Sequence, residues 1–224
     1  MRVKNRPTVN SKLRHHILEM PEEIRTATGI FINGRRIKSL VFTTDIAIIR
    51  NCDADAVLAI YPFTPQQTIS DAIIRNASMP VFCGVGGGTT NGVRSTLLAT
   101  DAEAQGAMAV VVNAPMSNED IDRISRNIDI PVVVTVLNEN TDIGARLEAG
   151  ASILNVSAAE RTPHVVACIR EKYPEVPIIA TGGPTPEGIL KTVQAGANAI
   201  SYTPPSTKQL FSSMMEDYRA REEN

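Results

Sequence analysis

Cysteine is scarce in this sequence, and long apolar segments are missing. The three cysteines, Cys52, Cys83 and Cys168, lie far apart and form no CxxC pair, which excludes a cysteine-based metal or redox motif. We therefore expect reduced thiols in a cytoplasmic protein. No apolar run approaches the roughly 18 residues of a membrane span. The basic N-terminus leads into no apolar signal segment, so a membrane partner is not expected.

An excess of charge is also missing. The chain has 22 Lys and Arg residues against 24 Asp and Glu residues, which leaves a formal net charge of -2. This balance gives no general attraction to nucleic acid or to an anionic membrane. The composition, 43% hydrophobic and 21% charged, is that of an ordinary globular protein. A length of 224 residues suits one barrel-sized domain and leaves no room for a second of similar size.

Six apolar runs alternate along the chain with amphipathic stretches between them. Three follow a proline and three follow a Gly-Ala pair, and they begin at Pro80, Ala107, Pro131, Ala151, Pro177 and Ala197. Runs of the same kind recur at steps of 44 to 51 residues. The runs are almost continuously apolar, as strands buried on both faces are. A repeat of two strands and two helices predicts an α/β protein with a single (β/α)8 TIM barrel.

The pattern also predicts the division of the chain. We expect an N-terminal extension over residues 1–26, with a helix over 11–20, followed by the barrel over 27–224. The first strand is placed at 27–33, where Gly34 turns the chain, and a helix is expected over 39–51. The other strands are expected at 56–61, 81–85, 108–113, 132–137, 152–156, 178–181 and 199–202.

The strongest chemical signal is the Gly182-Gly183 pair after the seventh strand. Two glycines let the backbone approach an anion closely, and the loops after strands 7 and 8 form the usual phosphate site of such barrels. Hydroxyl groups after strand 8 could donate to the same phosphate. The predicted phosphate-binding residues are Gly182, Gly183, Tyr202, Thr203, Ser206 and Thr207. The alternative is that the glycines only allow a tight turn and the hydroxyls only cap the last helix.

Polar residues and a glycine run stand at the ends of other strands. Clustered glycines at a strand end fit the close approach of a ligand, but they also fit a loop without one. Asparagines there could surround a sugar-sized ligand with neutral hydrogen bonds, although asparagine is common wherever strands become loops. The predicted substrate-binding residues are Asn33, Tyr61, Gly86, Gly87, Asn113, Thr135 and Asn155.

Acid–base groups are sparse at the strand ends. The histidines, His15, His16 and His164, fall in helices, and no predicted strand carries a lysine. A histidine-rich metal site and a Schiff-base lysine on a strand are therefore not expected, and we predict no metal or cofactor. Glu139 and Glu160 follow strands 5 and 6 and are the candidate catalytic residues for proton transfer. The alternative, which the loop positions favour, is that each is a solvated loop charge.

From Cys83 to Ser206 the chain resembles the ribulose-phosphate-binding barrel superfamily. Within it, the glycine-rich end of strand 3, the Gly-Ala pairs and Gly182-Gly183 followed by Thr-Pro-Glu are similar to the 2-keto-3-deoxy-6-phosphogluconate aldolase group. That group carries a Schiff-base lysine on strand 6 and a glutamate on strand 2. Neither residue is present here, so the resemblance implies the barrel and the phosphate loop but not the aldolase mechanism.

Three functions compete. The leading hypothesis is a barrel that binds a small phosphorylated metabolite as a metal-independent isomerase, epimerase or lyase. The second is a non-catalytic sensor, because 177–201 is also similar to the glycerol-operon antiterminators, barrels that bind glycerol phosphate. The third is a hydrolase of unknown substrate that uses water held by Glu139 or Glu160. A homo-oligomer is compatible with apolar helix faces such as that of Leu97 and Leu98.

Overall fold

The computed structural model describes residues 17–222, apart from the side chains of residues 217, 221 and 222. It contains a closed barrel of eight parallel strands and a separate two-stranded hairpin. The strands, in chain order, are β1 (Ile30–Ile32), β2 (Arg35–Ile37), β3 (Ser39–Phe42), β4 (Ala56–Ala59), β5 (Val81–Gly86), β6 (Ala109–Val112), β7 (Val132–Val136), β8 (Ile153–Val156), β9 (Ile178–Thr181) and β10 (Ala199–Tyr202). The barrel runs from β3 to β10 in order and closes between them. The predicted (β/α)8 barrel is confirmed.

Helices follow the barrel strands and cover the outside of the barrel. They are α1 (Ile46–Arg50), α2 (Gln67–Asn76), α3 (Gly92–Ala104), α4 (Asn118–Ser125), α5 (Ile143–Glu148), α6 (Thr162–Lys172), α7 (Pro186–Gln194) and α8 (Thr207–Glu222). Short 3-10 helices occupy Glu22–Thr26 and Ala159–Arg161. Within residues 17–222, no helix is both long enough and apolar enough to cross a membrane.

The Gly-Ala repeat has a structural cause. Gly106, Gly150 and Gly196 follow α3, α5 and α7 with φ values of +96°, +103° and +109°. A left-handed residue at this position ends a helix without steric cost only when it is glycine. The alanine that follows each of them is buried as the chain enters the next strand. The repeat therefore marks three helix-to-strand turns, as the sequence pattern indicated.

The prediction for the first strand was wrong. The segment expected to be a barrel strand is half of the β1–β2 hairpin, and Asn33 and Gly34 form its two-residue turn with positive φ at both positions. Asn-Gly between apolar runs is the strongest short-range hairpin signal, because both residues tolerate that backbone. The first barrel strand is β3, in a segment expected to be helical, and the helix after it is limited to α1.

The prediction of an N-terminal helix over 11–20 lies largely outside the described residues. The part that is described, residues 17–20, is not helical. Leu18 instead forms an isolated parallel bridge with Cys52, and its N–H donates to the carbonyl of Asn51 at 2.8 Å. Met20 and Ile24 are buried in the protein core. The boundary between an extension and the barrel at residue 26 stays a prediction.

Two apolar cores lie on the two sides of the sheet. The outer core packs outward-facing strand residues such as Val41 and Val134 against the helices. The inner core fills the barrel with residues such as Leu40, Phe82 and Val111. The isoleucines of the hairpin, Ile30, Ile32 and Ile37, belong to this inner core. The hairpin connects directly to the start of β3, so it closes the N-terminal end of the barrel and leaves the C-terminal end open.

Candidate functional site

A cavity of about 250 Å³ opens at the C-terminal ends of β4, β5 and β6. One wall is the loop after β4, which contributes the ring of Tyr61 and the exposed ring of Phe63. The other wall is the glycine-rich loop after β5. The remaining lining residues are Ile60, Pro62, Pro65, Gly84, Gly86, Gly88, Thr89, Thr90, Val111 and Asn113. No Asp, Glu, His, Lys or Arg lines this cavity, so it is a neutral site.

The glycines after β5 shape this cavity by close packing. The register between β5 and β6 shifts between Gly84 and Gly86, an irregularity that bends the strand end. A Cβ on Gly86 would lie 2.5 Å from the carbonyl oxygen of Thr90, and one on Gly87 would lie 2.5 Å from the backbone of Asn113. These positions exclude larger residues for structural reasons. The loop is therefore held against β6, whether or not a ligand binds.

A buried polar layer lies in the barrel at β7 to β10. Thr135, Asn155 and Ser201 are only 7%, 5% and 5% exposed. Asn155 Nδ2 donates to Thr135 Oγ1 over 3.4 Å, and the two residues are partners across β7 and β8. Ser201 on β10 is paired with Thr181 on β9, and Thr181 directly precedes Gly182. The oxygen Oδ1 of Asn155 is buried without a hydrogen-bond partner in the described structure.

The two glycines after β9 have different roles. Gly182 is buried, and a Cβ there would lie 2.7 Å from Ile200 and 2.8 Å from Ile189, so this glycine lets α7 pack against the strands. Gly183 is exposed, has φ +77°, and has no atom within 4 Å of the position of a Cβ. Within the described part of the chain its N–H donates to no protein acceptor. A backbone N–H without a protein acceptor, on a glycine with open space at its Cβ position, is a feature of backbone anion sites.

The hydroxyl groups beyond β10 are already used within the protein. Ser206 Oγ donates to Gln209 Oε1 and accepts from the N–H of Gln209, so it caps α8. The hydroxyl of Thr207 donates to the carboxylate of Asp45, the N-cap of α1. Tyr202 packs against the outer core, and Thr203, directly after β10, is exposed. The capping alternative therefore describes Ser206 and Thr207.

Asp45 places a negative charge where α8 begins. Its pKa is lowered mainly by the hydrogen bond from Thr207, and further by the N–H groups of Ile48 and Ala47. The carboxylate is therefore ionised at neutral pH and opposes a second anion at this helix N-terminus. Sequence reasoning missed Asp45. The available signal was its position directly before an apolar helix, where aspartate is a preferred N-cap.

The two glutamates lie outside the neutral cavity. Glu139 forms an ion pair with Arg161 and lines a separate groove between α5 and α6. Its pKa is lowered, first by hydrogen bonding from its own backbone N–H and then by Arg161, so it is a weak base. Glu160 is exposed in the 3-10 helix that precedes α6.

The predicted substrate-binding residues fall into three places. Tyr61, Gly86 and Asn113 line the neutral cavity, and Gly87 packs beside it. The phenol oxygen of Tyr61 accepts the N–H of Gln66 at 2.8 Å, which leaves its own proton available to a ligand. Thr135 and Asn155 belong to the buried polar layer. Asn33 lies in the hairpin turn at the opposite end of the barrel, which corrects its placement at the mouth.

No family model matches the chain. A stretch of 67 residues is 39% identical to inosine-5'-monophosphate dehydrogenase from Chlorobaculum parvum. The match covers 28% of this chain and only 14% of that protein's length. The chain therefore spans a small part of this curated relative.

Among solved structures, similar barrels include phosphonopyruvate hydrolase complexed with oxalate and Mg²⁺, with a TM-score of 0.60, 15% identity, and coverage of 86% of this chain and 84% of that one. Phosphoenolpyruvate phosphomutase from Streptomyces platensis subsp. rosaceus has a TM-score of 0.62 at 12% identity, over 89% and 84% of the two chains. For 2,3-dimethylmalate lyase, a PEP mutase/isocitrate lyase superfamily member, the TM-score is 0.62 at 11% identity, over 90% and 86%.

These similarities establish the class of fold, a (β/α)8 barrel. At such low identities they do not extend to the site. The barrel implied by the sequence resemblance is confirmed, whereas the narrower aldolase-like group stays a prediction. Residues 17–222 contain no cluster of three or more His, Cys, Asp or Glu side chains that could hold a metal ion.

Proposed function

We propose that the protein binds a small phosphorylated metabolite at the open end of the barrel. The single observation that carries the proposal is Gly183 after β9, which has an N–H without an acceptor in the described residues and open space at its Cβ position. The exposed Thr203 is at the end of the neighbouring strand β10. Of the six residues predicted to bind phosphate, these two remain free to do so, with Gly182 as the packing residue that positions the loop.

The rest of the ligand would lie over the buried polar layer of Thr135, Asn155 and Ser201. These groups are neutral, and the unpaired oxygen of Asn155 needs a hydrogen-bond donor to offset its desolvation. A hydroxyl group of the ligand supplies that donor. A carboxylate of the ligand would be buried in this neutral layer without a cation to pair with it. The site therefore favours a polyol phosphate over a phosphorylated oxo acid. The adjacent neutral cavity has room for one further uncharged group.

The reaction that we propose, if the bound metabolite is turned over, is an isomerase, epimerase or lyase reaction. The structurally similar barrels include a mutase and a lyase, which supports this class. Tyr61 is the titratable residue in the lining of the neutral cavity and is the candidate for proton transfer. Loss of turnover in Tyr61→Phe, with the variants Glu139→Gln and Glu160→Gln fully active, would assign this role to Tyr61.

A non-catalytic sensor is the second candidate. The specific observation in its favour is that both candidate glutamates lie away from the cavity and that no charged side chain lines it. Tight binding of a phosphorylated metabolite with no turnover would support the sensor, and measurable turnover would end it. The hydrolase has less support, because Glu139 is engaged with Arg161 and is a weak base.

The test is a thermal-shift screen with inorganic phosphate, glycerol phosphates, pentose and hexose phosphates, and pyruvate. A ligand at about 100 times its Kd adds roughly 2.7 kcal/mol to the free energy of unfolding. For a domain of this size we expect a rise in Tm of about 5–10 °C. Polyol phosphates should raise the Tm, and pyruvate should not.

A matched pair of variants assigns the effect to the loop. Gly183→Val places a side chain in the proposed anion site. Gly34→Val makes the same change in the hairpin turn, where φ is +78° and space is equally open. Both should lose similar stability, and only Gly183→Val should lose the phosphate-dependent shift. An undiminished shift in Gly183→Val would refute the proposed phosphate site.

A further inference from the structure

A second cluster of reactive side chains lies on the outside of the barrel, in the groove between α5 and α6. The groove has a volume of about 150 Å³ and is lined by Glu139, Cys168 and Lys172 among others. Cys168 Sγ lies 3.7 Å from His164 Nε2, one helical turn earlier on α6. A thiol within reach of an imidazole has an acceptor for its proton, and the thiolate is the nucleophilic form of cysteine.

The carboxylate of Glu139 lines the same groove as Cys168. One oxygen of Glu139 is held by Arg161, and the other is buried with no partner in the described structure. The geometry therefore supplies a nucleophile, Cys168, with a base, His164, within reach of it, as activated nucleophiles have.

The other two cysteines provide an internal contrast. Burial raises the pKa of the Cys83 thiol to about 12. Burial also raises the pKa of Cys52, whose sulfur lies 3.7 Å from the carbonyl oxygen of Ile49. Neither has an imidazole beside it among the interactions of the described residues. Cys83 is buried, and a buried thiol in apolar surroundings is inert. Cys52 and Cys168 are both partly exposed, and of these two Cys168 is the one beside an imidazole.

We propose that Cys168 is a modification site, at which the thiol forms a mixed disulfide with a small disulfide that carries carboxylates. His164 takes the thiol proton, and the thiolate sulfur attacks one sulfur of the disulfide. The new S–S bond forms as the old one breaks, and the departing thiolate takes the proton from the imidazolium. The groove is also lined by two carboxylates, but Glu139 is paired with Arg161 and Asp142 accepts the N–H of Ala145 as the N-cap of α5. Lys172 is exposed at the groove and makes no ion pair within the described residues, so it supplies the preference for carboxylates.

The experiment uses the whole chain and oxidised glutathione as the probe. Intact-protein mass spectrometry against time, followed by peptide mapping, gives the rate at each cysteine. Cys168 should react first, and Cys168→Ser should remove this adduct while Cys52→Ser keeps it. His164→Gln should slow the reaction at Cys168 about tenfold, because the imidazole no longer takes the thiol proton. His164 is exposed, so this variant should keep the wild-type circular dichroism.

Lys172→Gln separates attraction of the probe from activation of the thiol. It should slow the reaction with oxidised glutathione but not with the uncharged bis(2-hydroxyethyl) disulfide, whereas His164→Gln should slow both. Reaction at Cys52 as fast as at Cys168, or an unchanged rate in His164→Gln, would overturn the proposal. Equal effects of Lys172→Gln on both disulfides would overturn the carboxylate preference.

Discussion

The two ends of the barrel differ in how completely their buried polar groups are hydrogen-bonded. At the N-terminal end Arg170 donates six hydrogen bonds, to the carbonyl oxygens of Tyr173, Pro174, Val176 and Gly196 and to the side chain of Asn198. At the C-terminal end, the buried Oδ1 of Asn155 and the hydroxyl of Ser95, which abuts Gly86, have no partner in the described structure, and at the N-terminal end the same is true of Gln105 Oε1 alone. Buried polar groups are normally paired, so an unpaired set points to a ligand or water. The closed end supplies stability, and the open end is left for binding.

The largest expected effect is at the closed end, at Arg170. Arg170→Met should lower the free energy of unfolding by about 4 kcal/mol, because several carbonyl groups lose a charged donor at once. The matched control is Arg126→Met, since Arg126 pairs with Asp122 at a side-chain exposure of 75% and should cost under about 0.5 kcal/mol. Urea unfolding measures both. Equal losses would mean that the network at the closed end does not stabilise the fold.

The second-largest loss of stability is expected in the hairpin that closes the barrel. Ile37→Ala removes a side chain that is 2% exposed in the inner core, and we expect a loss of about 3 kcal/mol from the cavity it leaves. Phe31→Ala is the control, because Phe31 is 69% exposed and contacts the Arg36 guanidinium at 5.7 Å. It should cost about 0.5 kcal/mol. A small loss for Ile37→Ala would mean that the hairpin is a detachable lid.

One substitution made at both ends sharpens the comparison. Asn198 accepts from the N–H of Ile178 and from Arg170, and donates to Thr28, so Asn198→Leu leaves these partners unpaired and should cost about 2–3 kcal/mol. Asn155→Leu removes an oxygen that is already unpaired and one long hydrogen bond, from Nδ2 to Thr135 at 3.4 Å, and should change stability by less than about 1 kcal/mol. Only Asn155→Leu should abolish the thermal shift with polyol phosphates. A large loss of stability at Asn155 would show that it is structural.

The smallest effect concerns Asp45 and pH. A carboxyl group whose pKa is lowered in the folded state stabilises the protein above its unfolded pKa, and this contribution is lost as the pH falls through the folded value. Below about pH 4 the wild type should therefore lose stability more steeply than Asp45→Asn, which keeps an N-cap without a titrating group. At neutral pH, Asp45→Ala should cost about 1 kcal/mol. Parallel pH profiles for wild type and Asp45→Asn would refute this contribution.

The sequence was most informative where structure depends on near neighbours. Apolar runs predicted seven of the eight barrel strands, and the Gly-Ala pairs predicted three helix ends, because both features follow from local backbone geometry and burial. The first strand was misplaced because a strand of a hairpin and a strand of a barrel have the same apolar composition. The Asn33-Gly34 turn was the signal that distinguishes them, and its meaning was not used.

The candidate site was less predictable. The sequence showed that glycines stand at the strand ends. It did not show that Gly182 is packed and Gly183 is open, because Ile189 and Ile200 contact Gly182 only in the folded protein. The role of Thr207 was also not predictable, because its hydrogen-bond partner Asp45 is 162 residues away in the chain. Hydroxyl groups in a sequence do not reveal whether the fold has already provided their partners.

The sequence by itself determined the class of this protein, because the alternation of buried strands and amphipathic helices admits few architectures other than a (β/α)8 barrel. Only the tertiary structure decided which end is closed, which polar groups are paired, and that Cys168 shares a groove with Glu139. These are relations between side chains brought together by packing. They depend on distances of a few ångströms that no local pattern in the chain encodes.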